Sequence, residues 1–214
     1  SVPEAMFLDY TRTDKLINSI AKSDVILIGS GLEDSDFSFS LLKLVFQNAK
    51  TNQLLVLDGT ALSMIGKRNL NIPKKPTIIM TPHQGEWQRV SGLSISEQVP
   101  VENYKKMVDL NIDFLVLKSS ATEIYALQNS REYKELNIGG PFQAIGGMGD
   151  TLAGLIAGFL GQFKNDQISV IQAATYLHSY IARNLSQKQY VTLPTRISEQ
   201  IPTEMKKIIQ TSKY

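Results

Sequence analysis

Four short apolar runs set the strongest limit on the fold. Val25-Ile26-Leu27-Ile28, Leu54-Leu55-Val56-Leu57, Thr77-Ile78-Ile79-Met80 and Phe114-Leu115-Val116-Leu117 are nearly continuous rather than alternating. A strand with one wet face alternates apolar and polar residues, whereas a strand covered on both faces does not. Longer stretches with helical spacing lie between the runs. Asp36 to Asn48 carries Phe39, Leu42 and Phe46, and Ser94 to Leu110 carries Val101, Tyr104 and Val108. This β-α-β-α order predicts an α/β fold with a mostly parallel, doubly wound sheet flanked by helices on both faces. Glu123 to Leu127 and Glu132 to Ile138, separated by Asn129-Ser130, predict a hairpin. Thr151 to Phe163, Gln167 to Leu185 and Ile197 to Ile209 predict helices, with Pro202 breaking or beginning the last. No repeat or linker divides the chain, so residues 1–214 are read as a single domain.

Composition excludes several kinds of function. The 22 basic and 20 acidic residues leave a net charge of +2, which argues against a dedicated nucleic-acid surface. With no cysteine, a thiolate nucleophile and a disulfide framework are both impossible, and a reducing compartment suits the chain. No basic-then-apolar leader opens the sequence, and a cytoplasmic location is expected. The longest apolar run, Thr151 to Phe163, falls short of the roughly 20 residues that span a bilayer, so no membrane role is expected. His83 and His178 are the only histidines and lie far apart, so no protein metal cluster is predicted. A divalent ion held through nucleotide phosphates needs no such cluster.

Every predicted strand ends in a polar or glycine-containing loop: Gly29-Ser30-Gly31, Asp58-Gly59, Thr81-Pro82-His83 and Lys118-Ser119-Ser120. Ligands of open α/β sheets bind beyond the carboxyl ends of the strands, so these loops are expected to share one cleft. Gly146-Gly147-Met148-Gly149-Asp150 precedes an apolar helical run. Helix-terminal amides and the positive dipole end there suit a phosphate, and the acid can take a proton from a hydroxyl being phosphorylated. The competing reading makes Asp150 the N-cap of that helix. The loop lacks the lysine of a P-loop, and Gly29-Ser30-Gly31 lacks the third glycine of a dinucleotide fingerprint, since Asp34 occupies that place. Thr81 is expected to cap a short helix with Pro82 in its first turn. His83 reads as a substrate ligand or an ordinary loop histidine, and Glu86 as part of the helix cap. Lys118 to Thr122 reads as a phosphate-holding loop or a polar turn. Asp58 reads as a cleft residue or a turn acid, and His178 as structural.

Taken together and in order, these segments resemble the ADP/ATP-dependent NAD(P)H-hydrate dehydratase family, whose fold is ribokinase-like. The resemblance runs from Pro3-Glu4-Ala5-Met6 through Ile28-Gly29-Ser30-Gly31-Leu32, Leu57-Asp58-Gly59-Thr60-Ala61-Leu62 and Thr81-Pro82-His83-Gln84-Gly85-Glu86. It continues through Leu117-Lys118-Ser119-Ser120-Ala121-Thr122 to Gly146-Gly147-Met148-Gly149-Asp150-Thr151-Leu152-Ala153-Gly154. It implies repair of hydrated NADH or NADPH: ADP or ATP, with Mg²⁺ on its phosphates, phosphorylates the added hydroxyl, and phosphate then leaves. The resemblance makes Asp150 the catalytic base and a substrate contact, and Gly31 and His83 further substrate contacts. It makes Lys118, Ser119, Ser120, Ala121, Thr122 and Gly149 the nucleotide site, and Gly146, Gly147, Met148 and Gly149 the phosphate loop. The chain departs from the family in three respects. The usual N-terminal strand–helix portion is missing, the Lys118 loop lacks glycines, and Glu33 and Met148 replace smaller residues. A small-molecule kinase of the same fold and a nucleotide-binding protein without turnover are the alternative readings. Homo-oligomer formation is left open.

Overall fold

The computed structural model describes residues 5–127, 131–164 and 166–211. The predicted turn residues Asn129-Ser130, and Pro3-Glu4 of the first family segment, lie outside the described residues.

The four apolar runs become the parallel strands β1 (Val25–Ile28), β2 (Leu54–Leu57), β3 (Thr77–Met80) and β4 (Phe114–Leu117). Strands β5 (Thr122–Ala126) and β6 (Glu132–Leu136) add antiparallel, completing a six-stranded sheet in the order β1-β2-β3-β4-β5-β6. Ile28, Leu57 and Met80 lie in register, as do Met80 and Leu115, so the carboxyl ends of the parallel strands open on one side.

Each strand is continuously apolar because its residues go alternately to two cores. Leu55, Leu57, Ile78, Met80, Leu115 and Leu117 face one core. There they meet Leu42 and Val45 of α2 (Asp36–Asn48), Leu62 and Met64 of α3 (Thr60–Arg68), Trp87 of α4 (Gln84–Ser91) and Met107 of α5 (Pro100–Leu110). Ile20 of α1 (Thr13–Lys22) joins them. Val56, Ile79, Phe114, Val116 and Ile124 face the other core. This side is covered by α6 (Met148–Gln162), α7 (Gln167–Ser186) and α8 (Pro194–Thr211).

The doubly wound expectation is corrected in one respect. The strands follow in chain order without reversal, and a series of right-handed crossovers in one direction places every crossover helix on one face. The second face is covered by helices that follow the last strand. Ser94 to Leu110 is not one helix but a 3₁₀ turn, Ile95–Glu97, followed by α5 with Pro100 at its first position. Val101 and Val108 of the expected apolar face are exposed, and Asn103, Tyr104 and Met107 point inward. Asn103 is held there by polar partners, accepting from Trp87 Nε1 at 2.8 Å and donating to the Tyr125 hydroxyl at 3.0 Å. Helix α8 continues through Pro202, neither broken nor begun by it. The proline is exposed, so the Ser198 carbonyl that loses its donor faces water. No helix among the described residues is long and apolar enough to cross a membrane.

Candidate active site

The loops at the carboxyl ends of the strands converge on Asp58. Its carboxylate is almost wholly buried, at 1% exposure, and accepts from three directions. Ser30 Oγ, after β1, donates to Oδ2 at 2.8 Å. Thr81 Oγ1, after β3, and Lys118 Nζ, after β4, donate to Oδ1 at 2.6 and 3.0 Å. A buried carboxylate is tolerated only with such compensation. The close approach of the first two loops depends on Gly29, whose φ is +122° and where an added Cβ would stand 1.7 Å from the Asp58 carbonyl oxygen.

Two expectations about this region change. Thr81 is not a helix cap: it is fully buried and spends its hydroxyl on Asp58. The N-cap of α4 is His83, whose Nδ1 accepts from the amides of Gly85 and Glu86 at 3.0 and 3.2 Å. Glu86 completes the capping box as expected, accepting from the His83 amide at 2.8 Å. With Nδ1 accepting, the neutral ring carries its hydrogen on Nε2. Gly29-Ser30-Gly31 forms a turn rather than a nucleotide fingerprint, closed by the Leu32 amide on the Gly29 carbonyl at 3.1 Å. Asp34, at the place of the missing glycine, is paired with Lys67 at 2.6 Å.

The Gly-rich segment supplies the start of α6. Gly147, at φ +87°, is the N-cap, and the first residues of the helix are Met148, Gly149 and Asp150. Asp150 is therefore the third helical residue, exposed, and not the cap that the competing reading made it. The Thr151 amide bonds to the Gly147 carbonyl at 3.0 Å, so the amides of Gly149 and Asp150 precede the helix's own ladder. Met148 is buried against the core and also lines the adjoining cavity. A Cβ on Gly149 would stand 3.0 Å from Lys118 Nζ, which places the ammonium against the first turn of the helix.

Beside this point lies a cavity of about 870 Å³. His83, Lys118, Ser119, Ser120, Thr122 and Gly149 line it, so most of the predicted nucleotide loop shares one space. Ala121 is not among the lining residues, nor are Gly31, Gly146, Gly147 and Asp150. The link from the cavity toward Gly31 runs through Lys118, Asp58 and Ser30. The Lys118 loop is the turn between β4 and β5, and it turns without glycine because the Ser119 hydroxyl donates to the Ala121 carbonyl.

Sequence reasoning missed part of the wall. Gly139, Gly140, Pro141, Gln143 and His178 also line the cavity. The Gly139-Gly140-Pro141 turn was the signal available for this segment. His178 is buried on α7, with the Gln143 side-chain amide 3.3 Å from its Nδ1 and no hydrogen-bond partner at Nε2. Burial, aided by the Lys118 charge, pushes its pKa down to about 4, so the ring is neutral near pH 7.

A family model described as NAD(P)H-hydrate dehydratase matches residues 1–203. The ADP-dependent (S)-NAD(P)H-hydrate dehydratase of Streptococcus thermophilus is 46% identical over 209 residues, covering 97% of this chain and 74% of the relative. A crystal structure of a hypothetical protein from Streptococcus mutans superposes with a TM-score of 0.88 at 44% identity, covering 96% of this chain and 74% of that one. The ADP/ATP-dependent NAD(P)H-hydrate dehydratase of Bacillus subtilis, co-crystallised with ATP/Mg²⁺, gives a TM-score of 0.73 at 26% identity, covering 89% and 69%.

Proposed function

This chain belongs to the NAD(P)H-hydrate dehydratase family, and we propose that it restores NADH or NADPH from the hydrated cofactor at the expense of ADP or ATP. The observation that carries this reading is the placement of Lys118 Nζ against the first turn of α6, at the edge of the 870 Å³ cavity, one residue from Asp150.

The nucleotide occupies the cavity, with Lys118, Ser119, Ser120 and Thr122 along its wall and its phosphates at the start of α6. There the Gly149 and Asp150 amides, the helix dipole and the Lys118 ammonium all favour negative charge, and they stabilise the transferring phosphoryl group. Asp150 accepts the proton of the substrate hydroxyl as its oxygen attacks phosphorus. The hydrated ring is held by the Gly31 loop and by His83, whose Nε2–H donates. In the second stage the C–O bond breaks, phosphate departs, and the ring regains its double bond as it loses a proton. Relatives named as ADP-dependent favour ADP as the phosphoryl donor to be tried first.

Among the described residues no three histidine, aspartate or glutamate side chains cluster as a metal site. An ion carried mainly on the nucleotide's own phosphates, as Mg²⁺ commonly is, needs no such cluster. When bound, the ion would neutralise phosphate charge, and Asp150 is the exposed carboxylate that α6 offers it.

The test is to supply hydrated NADH with ADP and with ATP and to follow the near-ultraviolet absorbance of NADH. The expected result is recovery of that absorbance with stoichiometric phosphate release. Accumulation of a stable phosphorylated substrate would instead identify a kinase.

A further inference from the structure

We propose that Asp58 is the positioning residue of this site: its buried carboxylate holds the Lys118 ammonium against the first turn of α6, so that cation and helix amides converge on one phosphate. The inference rests on the nucleotide reading of the Lys118 loop given above.

The geometry argues for charge rather than turn-making as the purpose of Asp58. A turn acid sits at the surface, where its side chain is hydrated. Asp58 is withdrawn from water and surrounded by donors from three other strand-end loops, one of them 60 residues away. The two hydroxyls are neutral, and among the described residues Lys118 supplies the positive charge that pairs with it.

Lys118, for its part, needs a reason to stay where it is. Its ammonium lies beside the positive end of a helix, where a cation is disfavoured. Its four-carbon stem is flexible and could carry the charge into solvent. The Asp58 carboxylate offsets both effects without itself lining the cavity. One N–H is spent on Asp58, and the remaining two serve a phosphate with charge-assisted bonds. The absence of a side chain at Gly149 completes the arrangement, because any Cβ there would press on Nζ. Asp58 touches no reacting atom in this account. It acts through Lys118.

A double-mutant cycle on ADP affinity, measured by calorimetry, tests the proposal. Asp58→Asn keeps the shape and removes the charge, and Lys118→Met removes the cation. Each is expected to weaken ADP binding by about tenfold or more, the scale of a lost charge-assisted hydrogen bond. In the Lys118→Met background, Asp58→Asn should add less than about threefold. A merely structural Asp58 would cost the same factor in both backgrounds, and that additivity would overturn the proposal. If Lys118→Met binds ADP like the wild type, the nucleotide reading itself falls, and this inference with it. Should Asp58→Asn fail to fold, Asp58→Glu decides the same point because it keeps the charge at the cost of a methylene. ADP affinity retained well above that of Lys118→Met supports the proposal, and a loss as complete as in Lys118→Met overturns it.

Discussion

Gly149→Ala separates what the first turn of α6 does for folding from what it does for a ligand. The position is the second of the helix, and its backbone needs no glycine: φ is positive at the Gly147 cap but not here. An alanine in a helix is worth about 0.5–1 kcal/mol over glycine in propensity. Against this stands one tight contact, the new methyl 3.0 Å from Lys118 Nζ. The neighbour is the end of a flexible side chain and can retreat by a few tenths of an ångström, so stability should change by no more than about 1 kcal/mol in either direction. The retreat has a different consequence for phosphate. It moves the ammonium off its position between Asp58 and the helix, and the methyl fills the approach to the amides. Losing one hydrogen bond to a charged group costs about 1.5–3 kcal/mol, or roughly 10- to 150-fold in affinity. Thermal unfolding and ADP calorimetry on the same sample measure the two effects. The reasoning fails if Gly149→Ala binds ADP as the wild type does, or if the affinity falls only because the protein has unfolded.

Three further predictions follow from the same geometry. His178 has a folded pKa of about 4 against an ordinary 6.5, so the unfolded chain takes up its proton first as pH falls; stability should drop between about pH 6.5 and 4 by at most about 3 kcal/mol, flattening below, and His178→Phe should remove that slope from denaturant-melt stabilities. Gly29→Ala should destabilise by about 2–5 kcal/mol, from positive φ and the 1.7 Å backbone clash together, and a melting temperature equal to wild type would refute the close approach of the β1 and β2 loops. His83→Asn should keep the α4 cap and hold stability within about 0.5 kcal/mol while raising KM for hydrated NADH, whereas His83→Ala should lose about 1 kcal/mol as well; an unchanged KM in both variants would make His83 a cap and nothing more.

How much of this was legible in the sequence depended on whether the signal was local. The four parallel strands were readable to the residue because a strand buried on both faces carries an unbroken apolar run ended by a polar loop. Helix α2 was equally clear, its apolar spacing marking Asp36 to Asn48 as the structure has it. Helix α5 was not, because its inward face contains Asn103, a polar residue buried by virtue of Trp87 and Tyr125, which are distant in the chain. Thr81 misled for the same reason. A threonine before proline reads as a cap, and nothing nearby reveals that its hydroxyl answers a carboxylate from another loop. The Gly146–Asp150 and Lys118 segments stood out through their composition, and the fold brings Gly149 and Lys118 together. Asp58 read as a cleft residue or a turn acid and His178 as structural, so neither announced its partners. Their roles depend on which strand ends and helices the fold brings together.

The central claim is that Asp150 serves chemistry rather than helix capping, and Asp150→Asn tests it most directly. The side chain is exposed and third in the helix, so the amide should fold normally and leave ADP affinity within about threefold. Turnover of hydrated NADH should fall by about 10²–10⁴-fold, the contribution expected of a positioned general base. Turnover that survives the substitution undiminished would contradict the account.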